Sequence, residues 1–143
     1  MAQLTLKKNG LINETNFGDI AQQRIQQYIK EPFLDKKKKI NTSKITSTKI
    51  RSILQMINRI YNSVVSTAKE ELSENQLADL AYTKVKIAYE CGREETVDDF
   101  VKRTGIMEPI DQIVKSKKKD DFLLYCRYVE SLVGYFKYYG GKD

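Results

Sequence analysis

Across residues 44–68 the apolar side chains fall at Ile50, Ile53, Leu54, Ile57, Ile60, Tyr61, Val64 and Ala68. That alternation of three and four requires an amphipathic helix with one buried face. Thr46, Ser47 and Thr48 each offer a hydroxyl to cap its start. On the opposite face Arg51, Gln55 and Arg59 recur every four residues, and Lys44 and Thr48 extend the row backwards. Four residues climb about 6 Å of helix. The face is therefore a row of long donors with no carboxylate in it. Such a row can grip a phosphate backbone, because each guanidinium presents a fork of N–H donors. It can also be an ordinary solvated face.

A chain of 143 residues is expected to form one domain, residues 1–143, around a single core. Its net charge of +6 favours polyanionic partners, although plain soluble domains also carry such a charge. No histidine is present. Ser-His and Cys-His nucleophile pairs, histidine-bearing zinc sites and the histidine base of metal-independent ribonucleases are thereby excluded. Cys91 and Cys126 lie far apart in apolar helical patterns, with no Cys-x-x-Cys spacing. They read as two small buried thiols in a reducing compartment. Lys7 and Lys8 are followed by no apolar run, so no signal peptide is expected. No stretch approaches the ~20 apolar residues that span a bilayer. The expected location is cytoplasmic, with no cofactor and no metal.

Residues 1–15 mix polar groups with Leu4, Leu6, Leu11 and Ile12, and read as irregular and flexible. Asn16 is placed to cap a helix, with Asp19 near its positive end. Phe17, Ile20, Ala21, Ile25, Tyr28 and Ile29 line one face of that helix, and Pro32 ends it. Residues 31–44 form a basic connector containing four lysines at 36–39. Like charges should keep that run extended, as a solvated loop or as a basic arm for nucleic acid.

Ser73-Glu74-Asn75-Gln76 is a capping box that opens the next helix, and Gly92 suits its C-terminal end. The expected apolar face holds Leu77, Leu80, Ala81, Val85, Ile87, Ala88 and Cys91. Lys84 projects into the middle of it. Either its stem packs while the head reaches water or a carboxylate, or the face is partly a binding groove. Thr96 is placed to cap a short helix that Gly105 closes, with Val97, Phe100 and Val101 inward. Glu90, Glu94, Glu95, Asp98 and Asp99 form an acidic cluster. A metal-dependent nuclease would need those carboxylates to converge, whereas two of them are first-turn acids that suit a helix dipole. A second short helix follows Pro109, and residues 115–119 form another lysine run.

The last helix is expected from about 118 to 139, with Phe122, Tyr125, Cys126, Val129, Leu132, Val133 and Phe136 inward. Leu124, Tyr128, Tyr135 and Tyr139 form a second apolar strip. With Gly134, which would admit a neighbouring backbone, that strip suggests a face for another subunit. Residues 140–143 read as a loose tail. No strand pattern and no phosphate-binding glycine loop is found. The fold class is all-α, a compact bundle of about five or six helices.

Three segments together carry a resemblance. They are Thr-Lys-Ile-Arg at 48–51 with Asn-Arg-Ile-Tyr at 58–61, Lys-Val-Lys-Ile-Ala-Tyr-Glu-Cys-Gly-Arg-Glu at 84–94, and Tyr-Cys-Arg-Tyr-Val-Glu-Ser-Leu-Val-Gly-Tyr-Phe-Lys-Tyr-Tyr-Gly-Gly-Lys-Asp at 125–143. In order and spacing they resemble the small subunit of the type III-A CRISPR effector, the Csm ribonucleoprotein. The resemblance runs from about Thr42 to the C-terminus. Such sequences often carry histidine where this one has Phe136, so no imidazole role carries over. The resemblance implies an all-α, non-catalytic subunit. Several copies would stack as a filament beside the subunits that hold the guide RNA, and would cradle the target RNA paired to it. Specificity would then lie in base pairing, and the protein would need only phosphate and sugar contacts. Lys44, Lys49, Arg51 and Arg59 are the leading candidates for those contacts, followed by Lys84, Arg93 and Arg127, and then the lysine runs. A helical adaptor that binds only protein is the alternative.

Overall fold

The computed structural model describes residues 2–6 and 10–141. Among them are six helices: α1 (Phe17–Lys30), α2 (Ser47–Val65), α3 (Glu74–Arg93), α4 (Glu95–Thr104), α5 (Glu108–Ser116) and α6 (Lys119–Tyr138). Two short antiparallel hairpins join them, β1 (Gln3–Leu6) with β2 (Gly10–Asn13) and β3 (Phe33–Leu34) with β4 (Ile40–Asn41). The mostly helical bundle agrees with the expected class, and the hairpins do not follow from it. Lys7, Lys8, Lys142 and Asp143 lie outside the described residues.

Residues 1–15 are not irregular where they are described. Leu4 pairs with Ile12, and Leu4, Leu6 and Ile12 are fully buried or nearly so. A strand this short is stable only when one face packs on a larger core, and β1 lies against α5 and α6. Its outer edge is closed by one side chain. The Thr5 N–H donates to Gln112 Oε1 at 3.1 Å, and Gln112 Nε2 donates to the Gln3 carbonyl at 3.0 Å. Asn16 does not cap α1. Its Oδ1 accepts from the Asn13 N–H and its Nδ2 donates to the Leu11 carbonyl, so the side chain fastens the hairpin to the helix.

Lysines 36–39 are not an extended arm. Asp35 Oδ1 accepts from the backbone N–H of Lys37 and Lys39, folding the run into the β3–β4 turn. A side-chain acceptor at the start of a turn outweighs repulsion between four solvated ammonium groups. All four lysines remain exposed.

Thr46 is the cap of α2, its hydroxyl accepting from the Lys49 N–H. Ile50, Ile53, Ile57, Ile60 and Val64 are buried as the periodicity demands, but the helix stops at Val65, short of Ala68. Ser73 and Gln76 form the reciprocal capping box of α3. That helix runs through Gly92 to Arg93, and Glu94 rather than Thr96 precedes α4. Gly105, at φ +76°, closes α4 in the left-handed region that favours glycine.

Helix α6 carries the core, packed against α1, α2, α5 and β1. The second strip is therefore largely internal. Leu124 and Tyr128 are buried within the chain, and the Tyr128 hydroxyl donates to the Thr104 carbonyl. Tyr125 donates to the Ile106 carbonyl at 2.7 Å. The half-buried Tyr139 accepts from Gln22 and Gln26 of α1, each at 2.8 Å. The Thr104 turn and α1 thus supply cover for Tyr128 and Tyr139 from within the chain. The tail begins as an ordered cap. The Gly140 N–H donates to Lys137 and the Gly141 N–H to Phe136, with Gly140 at φ +87°, which is the Schellman arrangement.

Candidate nucleic-acid interface

Arg51, Gln55 and Arg59 are exposed along one side of α2. The two halves of the row have different surroundings. Gln55 and Arg59 face helix α3 across a groove of about 550 Å³, whose far wall is Tyr82, Val85, Lys86 and Tyr89. These α3 residues repeat at three and four, on a face distinct from the buried Leu80, Thr83 and Ile87. Tyr82, Val85 and Tyr89 are each 59–64% exposed. The sequence pattern places Ala81, Val85 and Ala88 inward, and all three are exposed. Two apolar stripes share α3, and periodicity cannot say which one meets the core.

Four of the other basic candidates are engaged by the protein itself. Lys44 precedes α2 rather than extending its row. Its Nζ donates to the carbonyls of Tyr28 at 2.6 Å and Glu31 at 2.7 Å, at the C-terminal end of α1. Burial and the nearby Arg103 lower its pKa. Lys49 lies 3.5 Å from Glu90 and 3.3 Å from Glu94, and Arg93 lies 3.4 Å from Glu90. Lys49 thus ties the start of α2 to the end of α3, where Glu90 also meets Arg93 of its own helix. Lys84 meets Asp111 of α5 at 2.7 Å, the carboxylate pairing that a lysine on that face calls for. Arg127 is exposed on α6 and is no part of the groove. Of the seven candidates, only Arg59 lines the groove.

The acidic cluster is dispersed among separate partners. Glu90 and Glu94 meet Lys49, Asp98 meets Lys102 at 2.9 Å, Asp99 meets Arg103 at 3.4 Å, and Glu95 accepts from the Lys36 N–H. Among the described residues no group of three or more histidine, cysteine, aspartate or glutamate side chains could hold a metal ion. Cys91 and Cys126 are free, and burial pushes the Cys91 thiol up to about 11 and that of Cys126 higher. Neither has the thiolate character that reactive cysteines need. Among the described residues no helix is long and apolar enough to cross a membrane.

Sequence reasoning missed the Tyr82–Val85–Tyr89 stripe. Its spacing is legible in the sequence, but Val85 reads there as inward with Leu80 and Ile87, and Tyr82 and Tyr89 are assigned to no face.

The family model described as Csm2 Type III-A matches residues 28–142. The chain belongs to the Csm2 family. Csm2 is the small subunit of the type III-A CRISPR effector. The chain is 41% identical over 99 residues to the CRISPR system Cms protein Csm2 of Enterococcus italicus, covering 69% of this chain and 71% of the relative. It is 32% identical to the Csm2 protein of Streptococcus thermophilus over 133 residues, 93% of this chain and 98% of the relative. The Mycobacterium tuberculosis Csm2 protein is 31% identical over 106 residues, 74% of this chain and 84% of the relative. The resemblance in the three quoted segments is therefore a true family relationship.

Proposed function

We propose that this Csm2 chain is a non-catalytic, cytoplasmic subunit that binds target RNA paired to the guide RNA, in several stacked copies. The observation that carries the reading is the exposed row of Arg51, Gln55 and Arg59 on α2. Donors spaced along one axis suit a phosphate backbone, and binding that ignores sequence needs no base-edge reader. Arg59 lies beside Lys86 in the same groove, which strengthens the local positive charge. Lys44 and Lys84 leave the proposed RNA set, because their ammonium groups are held by carbonyls and by Asp111. Stacking requires two different self-surfaces on each copy. Gly134, with open space around it, and Tyr138, 77% exposed one turn later, are the part of α6 left for such a contact. Guide-holding subunits would be the other partners.

The test is RNA affinity of the assembled effector against salt concentration. Arg51→Ala with Arg59→Ala should keep the fold, weaken binding and reduce the salt slope by about one to two. An unchanged slope overturns the assignment. The protein-only adaptor is favoured by one observation, the exposed cross-strand pair Leu34 and Ile40 on the β3–β4 hairpin. It predicts that complexes recovered from cells contain protein partners and no RNA.

A further inference from the structure

The groove between α2 and α3 combines exposed aromatic rings with cations. Tyr82 and Tyr89 stand seven residues apart, about 10.5 Å along the helix. Each keeps more than half of its surface in solvent. Each also carries a cation on one ring face: Lys86 Nζ lies 4.7 Å from the Tyr82 centroid, and the Arg93 guanidinium 5.6 Å from that of Tyr89. Arg59 closes the groove from α2. The one acid on its wall, Glu90, is already met by Lys49 and Arg93, so the free balance is positive.

We infer that this groove takes unpaired nucleotides of an RNA strand, with bases stacked on Tyr82 and Tyr89 and phosphates held by Arg59 and Lys86. The inference rests on the RNA-binding reading and adds to it which part of the RNA is held. A double-stranded stretch offers backbone and grooves but no free base faces, so it could use the arginine row and not the two rings. A protein partner would have to strip water from Lys86 and Arg93 and supply carboxylates in return. A single strand supplies flat rings and anions at short, regular intervals, and aromatic platforms accept any base. The helical spacing of the two tyrosine positions is about three times the 3.4 Å rise of stacked nucleotides in a duplex strand. The two rings therefore hold separate bases of an opened strand rather than one stacked pair.

The experiment uses the full chain and three probes of equal length: an oligouridylate, the same ribose-phosphate strand without bases, and a duplex RNA. The protein contains no tryptophan, so base stacking is read directly as quenching of tyrosine fluorescence, beside affinity from anisotropy. The oligouridylate should bind about tenfold more tightly than the abasic strand. Tyr82→Ala and Tyr89→Ala should each remove most of that advantage, leave abasic and duplex binding unchanged, and leave the melting temperature unchanged. Tyr82→Phe should retain it. Equal affinity for the oligouridylate and the abasic strand overturns the stacking inference while leaving the backbone reading in place. Failure of all three probes to bind at low salt overturns both. Altered self-association in the tyrosine variants with no change in RNA preference makes the stripe a protein contact, and overturns the inference.

Discussion

Lys44 reaches back sixteen residues to Tyr28, donating from Nζ to its carbonyl and lying 4.4 Å from its ring centroid. Arg103 approaches the same ring, at 5.1 Å, and donates to the carbonyls of Glu31 and Gln27. The last turn of α1 leaves carbonyls that no helical N–H can satisfy. Two cations from different parts of the chain, both on the favourable side of the helix dipole, satisfy them. Tyr28 completes the knot by accepting from the Ile45 N–H at 2.9 Å. The clamp ties α1 to the start of α2 and to the end of α4.

Replacing Lys44 by methionine keeps the aliphatic stem and removes the clamp. Urea unfolding should show a loss of about 1–2 kcal/mol, with water replacing part of what the ammonium supplied. RNA affinity of the variant should match the parent once both are folded. A specific loss of RNA binding at unchanged stability would return Lys44 to the RNA surface.

Burial raises the Tyr28 phenol to about 12, opposed by the Ile45 hydrogen bond and by Arg103 and supported by Asp99. A raised pKa means that the neutral phenol is favoured in the fold. Its contribution is complete below the unfolded value of about 10 and is lost as the pH rises through 12. Stability should therefore fall across that window. Tyr28→Phe should flatten the fall by up to about 1.4 kcal/mol per pH unit, even though it is less stable at neutral pH. Tyr125 and Tyr128 are raised by burial as well and will keep part of the slope. Thermal melts across the window, parent against variant, check the difference.

The hydroxyls of Tyr125 and Tyr128 reach the carbonyls of Ile106 and Thr104, which bracket the left-handed Gly105. Each phenylalanine substitution should cost about 1–3 kcal/mol, because a buried carbonyl loses its donor where water cannot enter. The two effects should fall short of adding, since both hydroxyls hold one turn. A double-mutant cycle by chemical unfolding measures the coupling.

Lys84→Ala should change stability by less than about 1 kcal/mol, as for other exposed ion pairs. It should also leave the salt slope of RNA binding unchanged, in contrast to the arginine pair on α2. Parallel titrations of the two variants separate a lysine that serves the fold from arginines that serve a ligand.

What the sequence alone determined lies where the signal is local. The buried face of α2, the Ser73–Gln76 box, the stop at Pro32, the turn at Gly105 and the family itself were all legible in it. Each depends on neighbours within a turn or two, or on the order of quoted segments. Tertiary structure decided what local spacing leaves degenerate. The Leu4–Leu6 pair becomes a strand because α5 and α6 bury it and Gln112 closes its edge. Lys44 and Arg59 look alike in a row of basic residues, but only one lies next to the open carbonyls of α1. Tyr128 and Tyr89 are both tyrosines on apolar stripes. The first faces the Thr104 turn and is buried, while the second lines the open groove beside α2 and stays largely in solvent. Burial is a property of what lies opposite, and a single helix pattern does not contain its partner.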